Sequence, residues 1–406
     1  MKRCICTIIC SNYIAYARSQ YGSLKGRGVE CDYRVFIVDA EGSVQYDREE
    51  FEVVVPDQLF ALDEYRKYAF LYNALELSTN VKPRFIKYLL QRGYHQVLYL
   101  DPDISVYGDI SPLFGEFLRG DILLTPHALS PHQGELRPND QDFLAGGVFN
   151  LGFIGVSNTA NASKFLDWWE QRCLQLGYND VRSGLMVDQK WVNLAPCYFD
   201  GVAILKDPGY NVAYWNLHER HLSIRNGIWY VNDVYPLLFF HFSGIRFDNE
   251  RHISRHQNRF HLEDREDIAP LLMEYRSQLL RHDIERTFFL PYRYDQFDNG
   301  MTITDLARKV YGVSVDAVQE DPFSSAGHFF RWLRRHRMVG SAKKHESYNS
   351  MNYNPDDPRL QVLHAILRIT LLLAGPAVYH LLMKYLSHIS IIRNQASIFQ
   401  YRGPTR

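Results

Sequence analysis

Short apolar runs alternate with longer amphipathic segments through the first half of the chain. Strands are predicted where Val, Ile and Leu cluster, in "CTIIC", "YRVFIVD", "QVLYLD", "DILLTPH" and "VFNLGFIGV". Helices are predicted between them, in "YIAYARSQYGSLK" and in "YRKYAFLYNALELSTNVKPRFIKYLLQRG", which Gly93 ends. The strand-like runs lack strict polar alternation, which is typical of strands buried on both faces. This order predicts an α/β fold, a mostly parallel sheet with helices on both faces.

The character of the chain changes in its second half. Beyond residue 260 the segments are helix-rich and mixed in charge, and the polar stretch "SAKKHESYNSMNYNPDDP" has the composition of a linker. We therefore expect an α/β domain over residues 1–260, a helical extension over 261–340, a linker over 341–358 and an apolar helical tail over 359–406.

The tail is the most apolar region of the chain. Its longest uncharged part, from Ile369 to Met383, has about 15 residues, fewer than the roughly 20 that cross a bilayer. Basic residues at 368, 384 and 393 interrupt it, which is typical of a helix lying on an anionic membrane surface. A helix packed on the protein's own core or in a dimer is the alternative.

Composition narrows the class of protein. The chain has 406 residues, of which 46% are hydrophobic and 22% charged, with a net charge of −1, so it is long enough for a large core and is not disordered. The missing basic excess gives no support for a nucleic-acid partner. The six cysteines show neither a disulfide framework nor zinc-ligand spacing, so we expect free thiols in a reducing compartment. The apolar run near Met1 is too short for a signal peptide, and we expect a cytoplasmic protein.

Two carboxylates stand one residue apart in "VLYLDPDISVYGDI", directly after a predicted central strand. On an extended chain Asp101 and Asp103 point to the same side, about 6.6–7 Å apart. They suit a divalent metal, phosphoryl chemistry with one Asp as nucleophile, or turn capping. Ligands of parallel sheets bind at the carboxyl ends of strands, where Asp39 also lies. Asp109, in the same stretch, is assigned to the following turn.

The segment "LYLDPDI" resembles the DxD motif of nucleotide-sugar glycosyltransferases with the GT-A fold, in the branch related to glycosyltransferase family 8. Three later segments resemble motifs of that branch in the same order: "FNLGFIGV", "LMVDQKWVN" and "HFSG". The resemblance covers residues 4 to about 244. It implies a Rossmann-like GT-A fold and transfer of a sugar from a nucleotide-diphosphate donor.

The resemblance also implies a metal site and roles for other residues. Asp101, Asp103 and His241 would hold Mn²⁺ or Mg²⁺. The nucleotide and sugar contacts implied are Ser11, Asn12, Tyr13, Asp39, Lys82, Gly146, Gly147, Asn150 and Gly244. Asp188 and Gln189 would act at the sugar, with Gln189 near the reacting carbon, which implies retention of configuration.

Each of these residues also has a structural alternative. Ser11 and Asn12 suit helix capping, Lys82 suits a solvated helix start, Asp188 suits a structural role, and a lone His on an apolar segment such as His241 is often a core residue. The sequence also departs from family 8 after "HFSG", where "IRFDNE" replaces the usual Lys-Pro-Trp. Basic side chains nearby that suit the same charge role are Arg246, Arg251, His252 and His256.

The sequence thus predicts a metal-dependent glycosyltransferase acting on a glycan or lipid-linked acceptor. Making a surface polysaccharide, such as capsule, O-antigen or exopolysaccharide, fits a cytoplasmic enzyme at the inner face of a membrane. A haloacid-dehalogenase-type phosphatase would need paired acids after a later strand, and the only adjacent aspartates, Asp356 and Asp357, lie in the expected linker. A carbohydrate-binding protein that kept the fold and lost turnover is the non-enzymatic alternative.

Overall fold

A computed structural model describes residues 1–42, 44–249, 251–340, 354 and 356–403. These residues form two compact units, Met1–Arg293 and Tyr294–Arg406. Most of the expected linker, 341–353 and 355, lies outside the described residues. The domain boundaries expected from the sequence stay predictions.

The strands of the first unit are β1 (Arg3–Ile9), β2 (Asp32–Ile37), β3 (Glu52–Val54), β4 (Gln96–Leu100), β5 (Ile104–Val106), β6 (Ile122–Pro126), β7 (Phe149–Ser157), β8 (Asn179–Asp180), β9 (Leu185–Met186), β10 (Val202–Ile204), β11 (Leu222–Arg225), β12 (Ile228–Val231), β13 (Tyr235–Pro236) and β14 (Phe239–His241). Its helices are α1 (Ile14–Gly26), α2 (Leu62–Leu71), α3 (Ala74–Asn80), α4 (Lys82–Gln91), α5 (Ser111–Gly115), α6 (Asp140–Gly146), α7 (Ala160–Leu176), α8 (Ala195–Tyr198), α9 (Ala269–Arg281) and α10 (Ile284–Thr287). The second unit contains α11 (Asp305–Gly312), α12 (His328–Arg335), α13 (Pro358–Ile389) and α14 (Ala396–Phe399).

The central sheet has seven strands in the order β10-β6-β7-β4-β1-β2-β3. β1 pairs parallel with β2 and β4, and β2 with β3, whereas β7 runs antiparallel to both β4 and β6. All five residues of β4 and all nine of β7 are buried, as their continuous apolar sequences predict. The predicted α/β fold with a mostly parallel sheet is confirmed.

Successive side chains along β2 pack on opposite faces of the sheet. Val35 and Ile37 of β2 belong to the same core cluster as Ile14 and Ala17 of α1. Phe36, between them, points the other way and packs against Phe85 of α4, with ring centroids 5.4 Å apart. This alternation follows from the two-residue repeat of a strand, and it gives the sheet helices on both faces.

The second unit is small and has its own apolar contacts. Phe329 and Leu333 of α12 are buried, and the ring of Tyr401 lies 5.3 Å from Phe329 and 5.6 Å from Trp332. In contrast, none of the residues of α13 is buried. Within the described part of the second unit, α13 is therefore not covered by other elements.

Candidate active site

Asp101 and Asp103 lie directly after the end of β4, a fully buried strand of the sheet. β4 runs between β1 and β7, and the Asp101 amide donates to the carbonyl of Gly152 on β7 at 2.8 Å. The chain then turns, with the Ile104 amide donating to the Asp101 carbonyl at 3.0 Å, and continues as β5. The two carboxylates therefore stand at the carboxyl edge of the sheet, where α/β proteins bind ligands.

A second, two-stranded sheet brings His241 to the same place. β14 pairs antiparallel with β5, with His241 opposite Ile104. The amide of Phe242 donates to the carbonyl of Asp103 at 2.8 Å. His241 is buried, and its position is fixed by backbone pairing although it is far from Asp103 in sequence.

These three side chains form a compact group. His241 Nε2 lies 2.9 Å from Asp103 Oδ1 and 3.8 Å from Asp101 Oδ2. One donor atom from each residue lies within 4.8 Å of the other two. Two carboxylate oxygens and one imidazole nitrogen suit Mn²⁺ or Mg²⁺, which binds few protein ligands and keeps positions for phosphate oxygens. The predicted proximity of the three residues is confirmed, and their donor set fits such a metal.

A hydrogen bond to Asn150 orients the imidazole of His241. Its Nδ1 lies 3.3 Å from Asn150 Oδ1, an oxygen that also accepts from the Gly152 amide at 3.1 Å and from the Asn211 amide at 3.0 Å. An oxygen acceptor at Nδ1 assigns the proton to that nitrogen and leaves Nε2 facing the carboxylates. Asn150, predicted to contact the sugar, is buried here, and its amide nitrogen lies 3.3 Å from His127 Nε2.

Charge and burial act in opposite directions on this group. Burial alone lowers the pKa of His241, but the carboxylate of Asp103, helped by Asp101, outweighs burial and raises it. Burial alone raises the pKa of Asp103, but His241 outweighs burial and lowers it. Both shifts favour an imidazolium beside a carboxylate, so a cation is stabilised at this position.

Tyr99 and Lys82 surround the other oxygen of Asp101. The buried Tyr99 hydroxyl donates to Asp101 Oδ1 at 2.7 Å, and Lys82 Nζ lies 3.9 Å from the same oxygen. The Lys82 ammonium lies 4.3 Å from the centre of the Tyr99 ring. With Oδ1 engaged, Asp101 presents Oδ2 towards His241.

Lys82 is a buried ion-pair residue and not a solvated one. It is 1% exposed; its Nζ lies 2.7 Å from Asp188 Oδ2 and donates to the Leu151 carbonyl at 2.8 Å. Burial alone lowers the pKa of Lys82, but Asp188 and Asp101 outweigh burial and raise it. Asp188 is itself buried and follows Val187, whose φ of 39° is unusual for a β-branched residue.

Gln189 joins two elements that line the expected sugar position. Its Oε1 accepts from the Leu151 amide at 3.1 Å, and its Nε2 donates to the Gly146 carbonyl at 3.0 Å. Gly147 has a φ of 124°, and a Cβ there would lie 3.4 Å from Gln189 Cγ. Gly146, Gly147 and Gln189 thus lie together, with Asp188 next along the chain, and their contacts with a sugar stay a prediction.

The predicted nucleotide residues meet at the ends of β1 and β2. The amide and hydroxyl of Ser11 donate to Asp39 Oδ1 at 2.7 and 2.8 Å, and the Ser11 hydroxyl lies 3.0 Å from that of Tyr46. Burial raises the pKa of Asp39, and the Ser11 hydrogen bonds offset part of this shift. Ser11, Asn12 and Tyr13 form a 3₁₀ turn, and no side-chain cap is present at the start of either this turn or α1. The capping alternative for Ser11 and Asn12 is therefore wrong.

The basic residues after "HFSG" differ in their surroundings. Arg246 is exposed and forms a bidentate ion pair with Asp248. Arg251 is exposed, and His252 is partly buried. His256 lies next to Gly244, since a Cβ on Gly244 would be 2.5 Å from His256 Cδ2. His256 is exposed by its surface area, and the partial burial of its ring together with the charge of Arg255 lowers its pKa to about 4.

Three residues in or near the site were not singled out from the sequence. Tyr99 precedes the DxD motif by two residues, and the two-residue repeat of a strand places it on the same side as Asp101. Gly152 stands two residues after Asn150, so the same repeat places both on one side of β7. Nothing in the sequence indicates that Arg255 returns to Gly244, because that contact depends on the path of a loop.

Comparisons with known proteins give distant relatives. No family model matches the chain. Two uncharacterized proteins of Bacillus subtilis are similar: YfnF is 28% identical over 224 residues (55% of this chain and 72% of YfnF), and YfnD is 27% identical over 210 residues (51% of this chain and 65% of YfnD).

Among solved structures, similar ones are glycosyltransferases. The galactosyltransferase LgtC, in complex with donor and acceptor sugar analogs, is 15% identical, with 68% of this chain and 95% of LgtC covered and a TM-score of 0.42. The glycosyltransferase GlyE of Streptococcus pneumoniae is 18% identical, with 77% and 74% covered and a TM-score of 0.41. Both scores are low, so the chemistry of this site rests on its own geometry.

Proposed function

We propose that the protein is a metal-dependent glycosyltransferase that moves a sugar from a nucleotide-diphosphate donor to a glycan or lipid-linked acceptor. The observation that carries this proposal is the group of Asp101, Asp103 and His241 at the carboxyl edge of the sheet. The motif resemblance in the sequence, and the nucleotide-sugar class it implies, supports the same reaction.

The residues around the group have distinct tasks in this reaction. Asp101, Asp103 and His241 would hold Mn²⁺ or Mg²⁺, whose contribution is to stabilise negative charge on the departing nucleoside diphosphate. Asn150 orients His241, and Tyr99 orients Asp101. Ser11, Asn12, Tyr13 and Asp39 contact the nucleotide, and Gly146 and Gly147 leave room for the sugar.

We further propose that the transfer retains the anomeric configuration, with Gln189 beside the reacting carbon and Asp188 held by Lys82. The support is the anchoring of the Gln189 amide between Leu151 and Gly146. Proton NMR of the first-formed product tests this point. Inverted anomeric coupling would contradict retention without affecting the metal-dependent reaction.

A donor screen tests the proposed function. Thermal shift in Mn²⁺ is measured with nucleotide sugars of different bases, and the matching donor is expected to raise the melting temperature by about 2–4 °C. Hydrolysis of that donor is then compared between wild type, Asp103→Ala and Asp109→Ala. Asp109 is the matched control, because its carboxylate accepts from the Ser111 amide in the following turn.

The outcomes separate the classes of protein. Loss of hydrolysis in Asp103→Ala alone supports the transferase. Stabilisation by a donor without turnover favours a carbohydrate-binding protein. Release of phosphate from a phosphomonoester, without any response to nucleotide sugars, favours the phosphatase.

We also propose that the enzyme works at the cytoplasmic face of a membrane, in surface polysaccharide synthesis. By length and composition, α13 is sufficient to cross a membrane. Its longest uncharged part, about 15 residues, is shorter than the roughly 20 residues of a typical membrane span. The sequence from Pro358 to the end contains no Asp or Glu, and α12 exposes Arg331, Arg334 and Arg335. An apolar helix together with a basic surface is the combination that binds anionic lipids.

A further inference from the structure

The chain after His241 folds back onto the site. Gly244 adopts a φ of 73°, and a Cβ there would lie 2.5 Å from His256 Cδ2 and 2.7 Å from Ser254 Oγ. The amide of Arg255 donates to the Gly244 carbonyl at 3.0 Å. The close approach of these two segments therefore depends on glycine at position 244.

This return of the chain is fixed by burial and by α9. Ile253 is 5% exposed and Ser254 is fully buried. Arg276 of α9 donates from Nε to the Arg246 carbonyl at 3.1 Å and from Nη2 to the His252 carbonyl at 2.6 Å. The backbone on both sides of the turn is thus tied to a helix, which sets the position of residue 255.

Arg255 differs from the other cations near the site in its pairing. Lys82 is neutralised by Asp188, and Arg246 by Asp248. Among the residues that the structure describes, no carboxylate lies within ion-pair distance of Arg255. Its side chain is exposed. Among the described residues, Arg255 is therefore a cation without a carboxylate partner, and its guanidinium can take an anionic one.

The backbone places Arg255 beside Gly244, three residues after His241, through the hydrogen bond from its amide to the Gly244 carbonyl. Its Nε donates to His256 Nε2 at 3.3 Å, and the carboxylate of Asp103 acts on the pKa of His256. Burial and Asp103 raise the pKa of Tyr13, while Arg255 lowers it. The Tyr13 hydroxyl thus lies in the field of both the acidic group and Arg255.

We propose that Arg255 binds the diphosphate of the donor. This inference rests on the proposed function. The two aspartates balance the charge of one divalent cation, so a further cation would offset part of the two negative charges of a bound diphosphate. A guanidinium donates two parallel hydrogen bonds to phosphate oxygens, which an imidazole cannot do. Arg255 would thereby also stabilise the charge that develops on the leaving phosphate.

Binding measurements with matched variants test the assignment. Isothermal titration in Mn²⁺ with UDP, GDP, ADP and CDP identifies the tightest ligand for the wild type. We expect Arg255→Gln to weaken the binding of that nucleoside diphosphate roughly 10- to 100-fold. Affinity for Mn²⁺ alone, and for the corresponding nucleoside without phosphates, is expected to stay within about twofold, and Arg255→Lys is expected to restore part of the loss.

Arg246→Gln is the matched control. It removes a positive charge from the same exposed loop, but one already paired with Asp248, so diphosphate binding is expected to be unchanged. Equal losses in the two variants, or wild-type affinity in Arg255→Gln, overturn the assignment and leave the proposed function standing. A wild-type protein that binds none of the four diphosphates overturns both.

Discussion

At the scale of single residues, the position of His241 depends on Gly152, which has no side chain. A Cβ on Gly152 would lie 2.3 Å from His241 Cε1, 2.5 Å from its Nδ1 and 2.8 Å from Asn150 Oδ1. His241 and Asn150 are both buried and hydrogen-bonded to each other, so neither has an open direction in which to move. Glycine at 152 is therefore part of the candidate metal site although it offers no ligand atom.

Gly152→Ala is expected to lower Mn²⁺ affinity by more than about tenfold, the size of effect typical when a residue that orients a ligand is changed. Manganese titration followed by electron paramagnetic resonance measures it. Gly155→Ala is the control on the same strand, because its new methyl would meet the Leu123 and Leu98 side-chain ends at 2.9 and 3.0 Å. We expect that variant to lose about 1–3 kcal/mol of stability and no metal affinity. Unchanged affinity in Gly152→Ala would argue against His241 as a ligand.

The sequence could identify the ligand atoms but not what holds them. Asp101, Asp103 and His241 stand in segments whose pattern resembles known motifs. The strand repeat places Tyr99 on the same side as Asp101, whereas the role of Gly152 follows only once the register of β4 and β7 is known. Arg255 depends on a loop whose path is set by burial and by Arg276, and no local pattern encodes either.

At the scale of elements, strand positions were predictable and strand direction was not. Continuous apolar runs identify β4 and β7 as buried, because both faces of each are covered. A run of this kind reads the same in either direction, so the antiparallel orientation of β7 could not be inferred. β5 and β14, three residues each, are too short to give a periodic signal, and yet their pairing brings His241 to Asp103.

One buried ion pair ties α4 to the segments that line the sugar position. Lys82, at the start of α4, contacts Asp188 and the Leu151 carbonyl of β7. Removing one partner of a buried pair leaves an uncompensated charge, whose cost is about 3–5 kcal/mol. Lys82→Met is therefore expected to reduce the free energy of unfolding by about that amount, measured by urea denaturation at pH 8.

Lys87→Met is the control on the same helix. Lys87 is partly exposed and pairs with the exposed Asp167 and with Glu170, which Arg84 also neutralises, so removal of Lys87 leaves no unpaired buried carboxylate. Such partly exposed pairs contribute about 0–1 kcal/mol. Burial raises the pKa of Asp188, and without Lys82 little opposes that shift. A carboxyl whose pKa is higher folded than unfolded destabilises the protein at high pH, so part of the Lys82→Met loss should be regained as the pH falls towards 5. Equal losses in both lysine variants would contradict a structural role for the buried pair.

At the scale of the whole molecule, α13 is the feature that the fold of the first unit does not explain. Leu372 and Leu373 are 82% and 84% exposed, and Leu381 is 68% exposed. The helix is kinked at Gly375, whose φ of 77° and ψ of 168° precede Pro376. Exposed apolar surface on this scale is typical of a site that binds lipid or another protein chain.

Lipid is the partner favoured by charge. The helix carries Arg359, Arg368 and Lys384 and no acidic residue, so an anionic surface attracts it while a second copy of the same helix is repelled. We expect the full-length protein to float with vesicles that contain phosphatidylglycerol, to float less with neutral phosphatidylcholine vesicles, and to lose part of this difference at high salt.

The double variant Leu372→Glu and Leu373→Glu places two charges on the apolar surface and is expected to abolish flotation. Leu118→Glu is the control, since Leu118 is 95% exposed in the first unit. If the wild type stays at the bottom of the gradient with both vesicle types and light scattering gives the mass of a dimer, a second copy covers α13. The other outcome is that only the double variant Leu372→Glu and Leu373→Glu fails to float, while its Mn²⁺ affinity is that of the wild type. Membrane attachment then belongs to the second unit and the candidate metal site to the first, because two negative charges in α13 remove one property without the other.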